Sequence, residues 1–263
     1  MFNSKLYWKV RGTADLNPPT IRAMYDLYDT YYEQTNFETF ESDLRRKTDV
    51  ILLFDRAKGE LQGFSTLVTF MLNRSGKQIP CVFSGDTIIH ERFWGQRSLG
   101  VAFLIYMFKK KLARPTLPLY WFLISKGYKT YLLMANNFKE HFPRYEKATP
   151  PEMQAMIREA SDRLFPDCYQ DNGTLIFPAE KAARLKVGVA EIDSRLLKHP
   201  RIEFFSINNP GWRDGEELAC LAEMSLNMPF HYYNKSMSKL WTTSPMLKPL
   251  QIRFRKAVKE ATR

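Results

Sequence analysis

A chain of 263 residues, 44% hydrophobic and 14% aromatic, can bury a substantial core, which excludes a disordered or low-complexity protein. Its net charge of +11 favours a polyanionic partner, whether a nucleotide-bearing cofactor, an acidic carrier protein, nucleic acid or an anionic membrane surface. Three cysteines (Cys81, Cys168, Cys220), odd in number and without CxxC spacing, argue against a disulfide framework and fit buried thiols in a reducing compartment. The longest apolar run, Val101 to Phe108, is too short to cross a bilayer, and the N-terminal residues carry no signal-peptide pattern, so a cytoplasmic protein is expected.

In chain order, Lys5 to Arg11 alternates as a first strand does. Asn17-Pro18-Pro19 opens a helix in which Ile21, Met24, Leu27, Tyr28, Tyr31 and Tyr32 recur at helical spacing. Thr35 to Glu38 has the form of a capping box and starts a second helix, to about Lys47. Asp49–Phe54, Leu61 to about Leu72 and Ile79–Ile89 then read as three strands of an antiparallel meander, turned at Arg56–Gly59 and Arg74–Lys77. A tight basic turn holding Gly95, Gln96, Arg97, Ser98 and Gly100 leads into an apolar helix that ends in Lys109-Lys110-Lys111, which suits the negative end of its dipole. Leu119–Ile124 is a buried strand and Lys129 to about Phe138 another helix. Further on, a helix is expected from Thr149-Pro-Pro-Glu152 to Leu164, a short strand at Thr174–Phe177, and a helix over Ala179–Leu185. Arg201–Ile207 is the expected last strand, Glu216–Leu226 a helix, and the tail from Pro249 a basic helix or frayed end.

A strand feeding a helix through such a turn aims first-turn amides at one point, a natural phosphate site. The stretch Arg97-Ser-Leu-Gly100-Val-Ala102 resembles the coenzyme A pyrophosphate loop of the GNAT (N-acetyltransferase) superfamily, Gln/Arg-x-x-Gly-x-Gly/Ala. Strand, two helices, three strands, helix, strand, helix is also that family's element order, so the resemblance spans roughly residues 5–145. It implies an α/β (α+β) fold with a mixed, mostly antiparallel sheet flanked by helices and splayed between its fourth and fifth strands. A single domain over 1–263 is expected, with 146–263 supplying an insertion and the completion of the sheet.

The same resemblance implies a function. An acyl-CoA-dependent N-acyltransferase would move an acetyl or longer acyl group to an amine by direct attack. Arg97, Ser98, Leu99, Gly100, Val101 and Ala102 would cradle the pyrophosphate, with Arg92 and Gln96 flanking it. The backbone from Ile88 and Ile89 towards Glu91 would hold the pantetheine arm as a pseudo-strand. An amine nucleophile must lose a proton, and Asp86, His90 and Glu91 are the candidate bases at the end of the fourth strand. Asp86 and His90, four apart, share one face of a regular strand and Glu91 lies on the other, unless a bulge upsets the parity. Each also has a structural reading: a hydrogen-bonded histidine at a strand end, a turn aspartate, a solvated Glu91–Arg92 pair. Where the family often has a tyrosine acid, this chain has Leu133; Tyr131, on the same helix, is the stand-in, with packing as its alternative.

Other readings remain open. The basic runs Arg45-Arg46-Lys47 and Lys109-Lys110-Lys111 would suit an acidic acyl carrier protein as donor. Nucleic-acid binding is disfavoured, since no RRM, KH or zinc-finger pattern occurs. A catalytically inactive GNAT-like module and a homodimer stay open. His141 and His231 lack ligand spacing, so no metal site is expected.

Overall fold

The computed structural model describes residues 5–178, 184–185 and 191–224, which fall within one compact unit, Met1–Met224. The expected helix over Ala179–Leu185 lies mostly outside the described residues, and the basic tail from Pro249 wholly so. Strand β1 (Leu6–Gly12) is followed by α1 (Pro18–Tyr31), the two-residue β2 (Tyr32–Glu33), α2 (Phe37–Arg45), β3 (Asp49–Asp55), β4 (Leu61–Arg74) and β5 (Lys77–Ile89). Then come α3 (Ser98–Ala113), β6 (Leu119–Ser125), α4 (Tyr128–Asn137), β7 (His141–Phe142) and α5 (Pro151–Leu164). Short β8 (Thr174–Leu175) and β9 (Arg184–Leu185), α6 (Pro200–Asn208) and β10 (Glu217–Met224) complete the set.

The main sheet runs β1-β3-β4-β5-β6-β10-β7, with β8 on β10, while β2 pairs β9. Among the described strands only β5 and β6 pair parallel, joined by the crossover through α3. Successive residues of β6 show what covers each face. Trp121 packs on Phe103 of α3 (4.7 Å) and on Phe138 beyond α4 (4.8 Å). Its neighbour Phe122 belongs to a core with Met153, Met156, Ile157 and Ala160 of α5. A second core joins Ile21, Met24 and Leu27 of α1 and Phe40 and Leu44 of α2 to Val50, Leu52, Phe64 and Ile88 of the sheet. The sheet is thus central, mixed and mostly antiparallel, with α1, α2 and α5 on one face and α3 and α4 on the other.

Several starts differ from expectation for a local reason. Helix α2 is capped by Asn36, which accepts from the Thr39 amide (2.9 Å), and Thr35 turns instead to the Asp29 carboxylate. Helix α5 begins behind Pro150 with no side-chain cap. Two late elements exchange identity. Arg201–Ile207, expected as the last strand, lies in α6: His199 caps it by accepting from the Arg201 amide (3.3 Å), and Ile202 and Phe205, three apart, are buried together. Glu216–Leu226, expected as a helix, contains β10, which pairs β6 from Leu218↔Ser125 to Met224↔Leu119 and so closes the sheet.

Candidate functional site

The site forms where β5 leaves β6. The two strands pair only from Cys81↔Tyr120 to Ser84↔Leu123, whereas β5 continues on β4 to Ile89. Between Leu67↔Ser84 and Ser65↔Thr87, two β5 residues, Gly85 and Asp86, stand opposite the single Thr66. This is a β-bulge, and it re-aims the strand at the point of divergence. Position 85 must be glycine, because a Cβ there would stand 2.7 Å from Thr66 Oγ1 and 3.2 Å from Phe83. Thr87 fixes the turn by donating to the Gly85 carbonyl (3.1 Å) and pairing with Ser65 Oγ (2.8 Å).

Beyond the bulge lies a cavity of about 440 Å³. Its walls are Ser84, Gly85, Thr87 and Ile89 of β5, Trp121 and Ile124 of β6, and Lys129, Thr130 and Leu133 of α4. Trp94 and Gly95 close the end towards α3. Gly95 holds φ +80, which favours glycine, and Ser98 opens α3 three residues later. The groove between the strands therefore runs towards a helix N-terminus. There the first-turn amides of Leu99 and Gly100 have no intrahelical acceptor, and the dipole is positive.

Peptide groups alternate along a strand. The Ile88 carbonyl points at β4, 2.8 Å from where a Gly63 Cβ would stand, and the His90 amide donates to Gln62 (2.8 Å). Thr87 and Ile89 therefore present their peptide groups to the groove, and Ile88 does not; its side chain lies in the α1–α2 core. Indole Nε1 of Trp94 donates to the Ile89 carbonyl (2.8 Å), showing that this edge accepts hydrogen bonds from the groove side. Thr87 is a groove residue that the sequence reading missed.

Of the candidate bases, Asp86 stands apart. Among the described residues no hydrogen bond or ion pair holds its carboxylate. Burial, then Asp43, push that carboxyl up to about 6, with Glu217 adding and Lys47 and Lys126 pulling back. Tyr28 and Tyr32, stacked at 4.5 Å, are raised chiefly by burial and next by Asp86, which places the carboxylate beneath the C-terminal end of α1. Asp86 shares the α1–α2 face with Ile88, two residues on. His90 caps the short turn Glu91–Phe93, its Nδ1 accepting from the Arg92 amide (3.3 Å). Glu91 is exposed, and its amide donates to Tyr31 Oη (2.7 Å). Tyr131 is fully buried, donates to the Pro143 carbonyl (3.1 Å) and packs on Phe204 and Phe205; it is not among the residues lining the cavity. In the turn, Arg92 is exposed, Gln96, Arg97, Gly100 and Val101 are half-buried, and Ser98, Leu99 and Ala102 are buried.

Both basic runs are partly engaged within the fold. Lys111 is buried and caps the end of α3 on the Pro115 (3.1 Å) and Leu117 carbonyls, and Lys110 lies 3.6 Å from Asp49. Arg45 donates to the Thr13 carbonyl (3.1 Å), and Lys47 pairs with Asp43 (2.8 Å). Among the described residues no cluster of His, Cys, Asp or Glu could hold a metal, and no helix is long and apolar enough to cross a membrane.

No family model matches the chain, and no curated protein does. Solved structures similar to it include a probable N-acyltransferase from Enterococcus faecalis, at 16% identity and TM-score 0.39, over 52% of this chain and 34% of that one. A GNAT family N-acetyltransferase from Escherichia coli, solved in complex with CoA, aligns at 15% identity and TM-score 0.35, over 53% of this chain and 72% of that one. Escherichia coli ElaA aligns at 16% identity and TM-score 0.36, over 55% of this chain and 95% of that one. The chain thus spans about a third of the Enterococcus protein's length. With its mixed, mostly antiparallel sheet flanked by helices and its one diverging parallel strand pair, the described part of the chain has a GNAT-like fold.

Proposed function

We propose that the protein is an acyl-CoA-dependent N-acyltransferase. The observation that carries this reading is the groove opened by the divergence of β5 from β6, which reaches Gly95, three residues before α3 begins. The pyrophosphate of an acyl-CoA would sit on the first turn of α3, with Arg97 contributing a charge-assisted contact. The pantetheine arm would lie along Thr87 and Ile89 as a pseudo-strand, taking over the Ile89 carbonyl from Trp94. That brings the thioester to the bulge at Gly85, beside Asp86. The acceptor ammonium gives one proton to Asp86, and the freed amine attacks the thioester carbonyl carbon. The C–N bond forms and the C–S bond breaks, and the sulfur leaves as thiolate and takes the second nitrogen proton. The products are an amide and the coenzyme A thiol. Acetyl and longer acyl groups both remain within the reading, because the cavity walls are largely apolar.

The internal use of Lys47, Lys110 and Lys111 favours free acyl-CoA over an acidic carrier protein as donor. Incubating the protein with acetyl-CoA and a panel of small amines, amino acids and peptides is expected to release coenzyme A thiol with matching N-acetylated product by mass spectrometry. Thiol release without amide, or no turnover with any panel member, contradicts acyl transfer.

A further inference from the structure

We infer that the bulge of β5 builds an acceptor subsite for a small monoamine, a single primary ammonium on an apolar body, on the α1–α2 face of the sheet. The inference rests on the acyl-transfer reading and adds the substrate class. Thr66 is fully buried and its Oγ1 has no hydrogen-bond partner, yet it faces the bare Gly85 backbone, with Lys47 and Phe83 around the same point. A buried hydroxyl left unmade is costly, so its persistence at the bulge marks a place for a ligand group.

Among the described residues, the charge around that point is short of one cation. Asp43 is paired with Lys47 at 2.8 Å. Glu217, at the start of β10, is paired with Lys126, just past β6, at 3.3 Å, both about seven-eighths buried (12% and 13% exposed). Asp86 is the carboxylate left over, and one ammonium completes the set. A second cation on the ligand would have to displace Lys47 from Asp43 or Lys126 from Glu217, and a carboxylate beside its amine would meet Asp86. The wall is aromatic, with Tyr28 and Tyr32 stacked at 4.5 Å and Phe40 5.3 Å from Tyr28. Such faces accept an apolar body and attract a cation, as the Tyr32 ring already does with Lys126 at 5.6 Å.

Calorimetric titration of the full chain with 2-phenylethylamine, phenylalanine and 1,5-diaminopentane tests this, with coenzyme A titrated in parallel. The monoamine is expected to bind at least about tenfold more tightly than either of the others. Thr66→Val, close in shape but lacking the hydroxyl, is expected to weaken the monoamine several-fold, to raise Tm and to leave coenzyme A affinity unchanged. Equal binding of phenylalanine or of the diamine, or unchanged monoamine affinity in Thr66→Val, overturns the subsite. Normal coenzyme A binding without monoamine binding overturns the subsite alone. Absent coenzyme A binding removes the acyl-transfer reading, and the amine titration still judges the subsite by itself.

Discussion

Replacing Asp86 by asparagine is expected to lower kcat about 10²–10⁴-fold, the range that a positioned general base contributes, with coenzyme A affinity unchanged. The wild-type kcat/KM for the amine should rise with pH through about 6, as the Asp86 carboxyl ionises, and that limb should disappear in the variant. The same substitution should act on stability in the opposite sense. The Asp86 carboxyl goes from an ordinary 3.8 to about 6 on folding, so its favourable contribution is complete below 3.8 and is lost as pH rises to about 6. Above that, an ionised, poorly solvated carboxylate costs the fold stability. Asp86→Asn should therefore raise Tm at pH 7.5, with a gain on the order of 1–3 kcal/mol. A slower and more stable variant marks a functional carboxylate, whereas one that loses both rate and stability marks a structural one. Steady-state kinetics between pH 5 and 9 alongside thermal melts separate the two.

The double substitution Arg97→Glu with Gly100→Trp should weaken coenzyme A by at least about a hundredfold, since it reverses a charge-assisted contact and sets an indole over the first-turn amides of α3. Neither change enters the sheet core, so the melting temperature should stay within a few degrees. Lys109→Glu, at the other end of the same helix, alters net charge equally per residue and should leave binding nearly unaffected. Calorimetry at two salt concentrations checks both. If Lys109→Glu weakens binding as much as the double variant, the phosphates are held by diffuse charge rather than by this turn.

The central fold was legible because its signals are local. Alternation over 5–11, the compact strands at 49–54 and 119–124, and the turn around Gly95 all stand where the residues place them. The late elements were not, because packing overrides propensity there. Glu217–Met224 is rich in Ala, Leu, Glu and Met and reads as a helix, yet it is a strand beside β6, buried along most of its length. Arg201–Ile207 has strand-like alternation, but Pro200 at the first helical position and the His199 cap carry it into α6. The exchange also hid part of the site. Lys126 and Glu217 lie 91 positions apart and meet only because β10 lies beside β6, so no spacing rule could pair them. The bulge, by contrast, was foreseen as a disturbance of parity. It lies at Gly85 and Asp86, ahead of the regular stretch Thr87–Ile89, so what sets His90 apart from Asp86 is the end of β5 at Ile89, where His90 caps a turn.

The most direct measurement is the crystal structure of the protein with coenzyme A bound. The pyrophosphate should lie on the Leu99 and Gly100 amides beside Arg97. The pantetheine should pair with Thr87 and Ile89, and Trp94 should have released the Ile89 carbonyl. Coenzyme A elsewhere on the surface, with the Trp94–Ile89 bond intact and the β5–β6 groove closed, would contradict the proposal at its base.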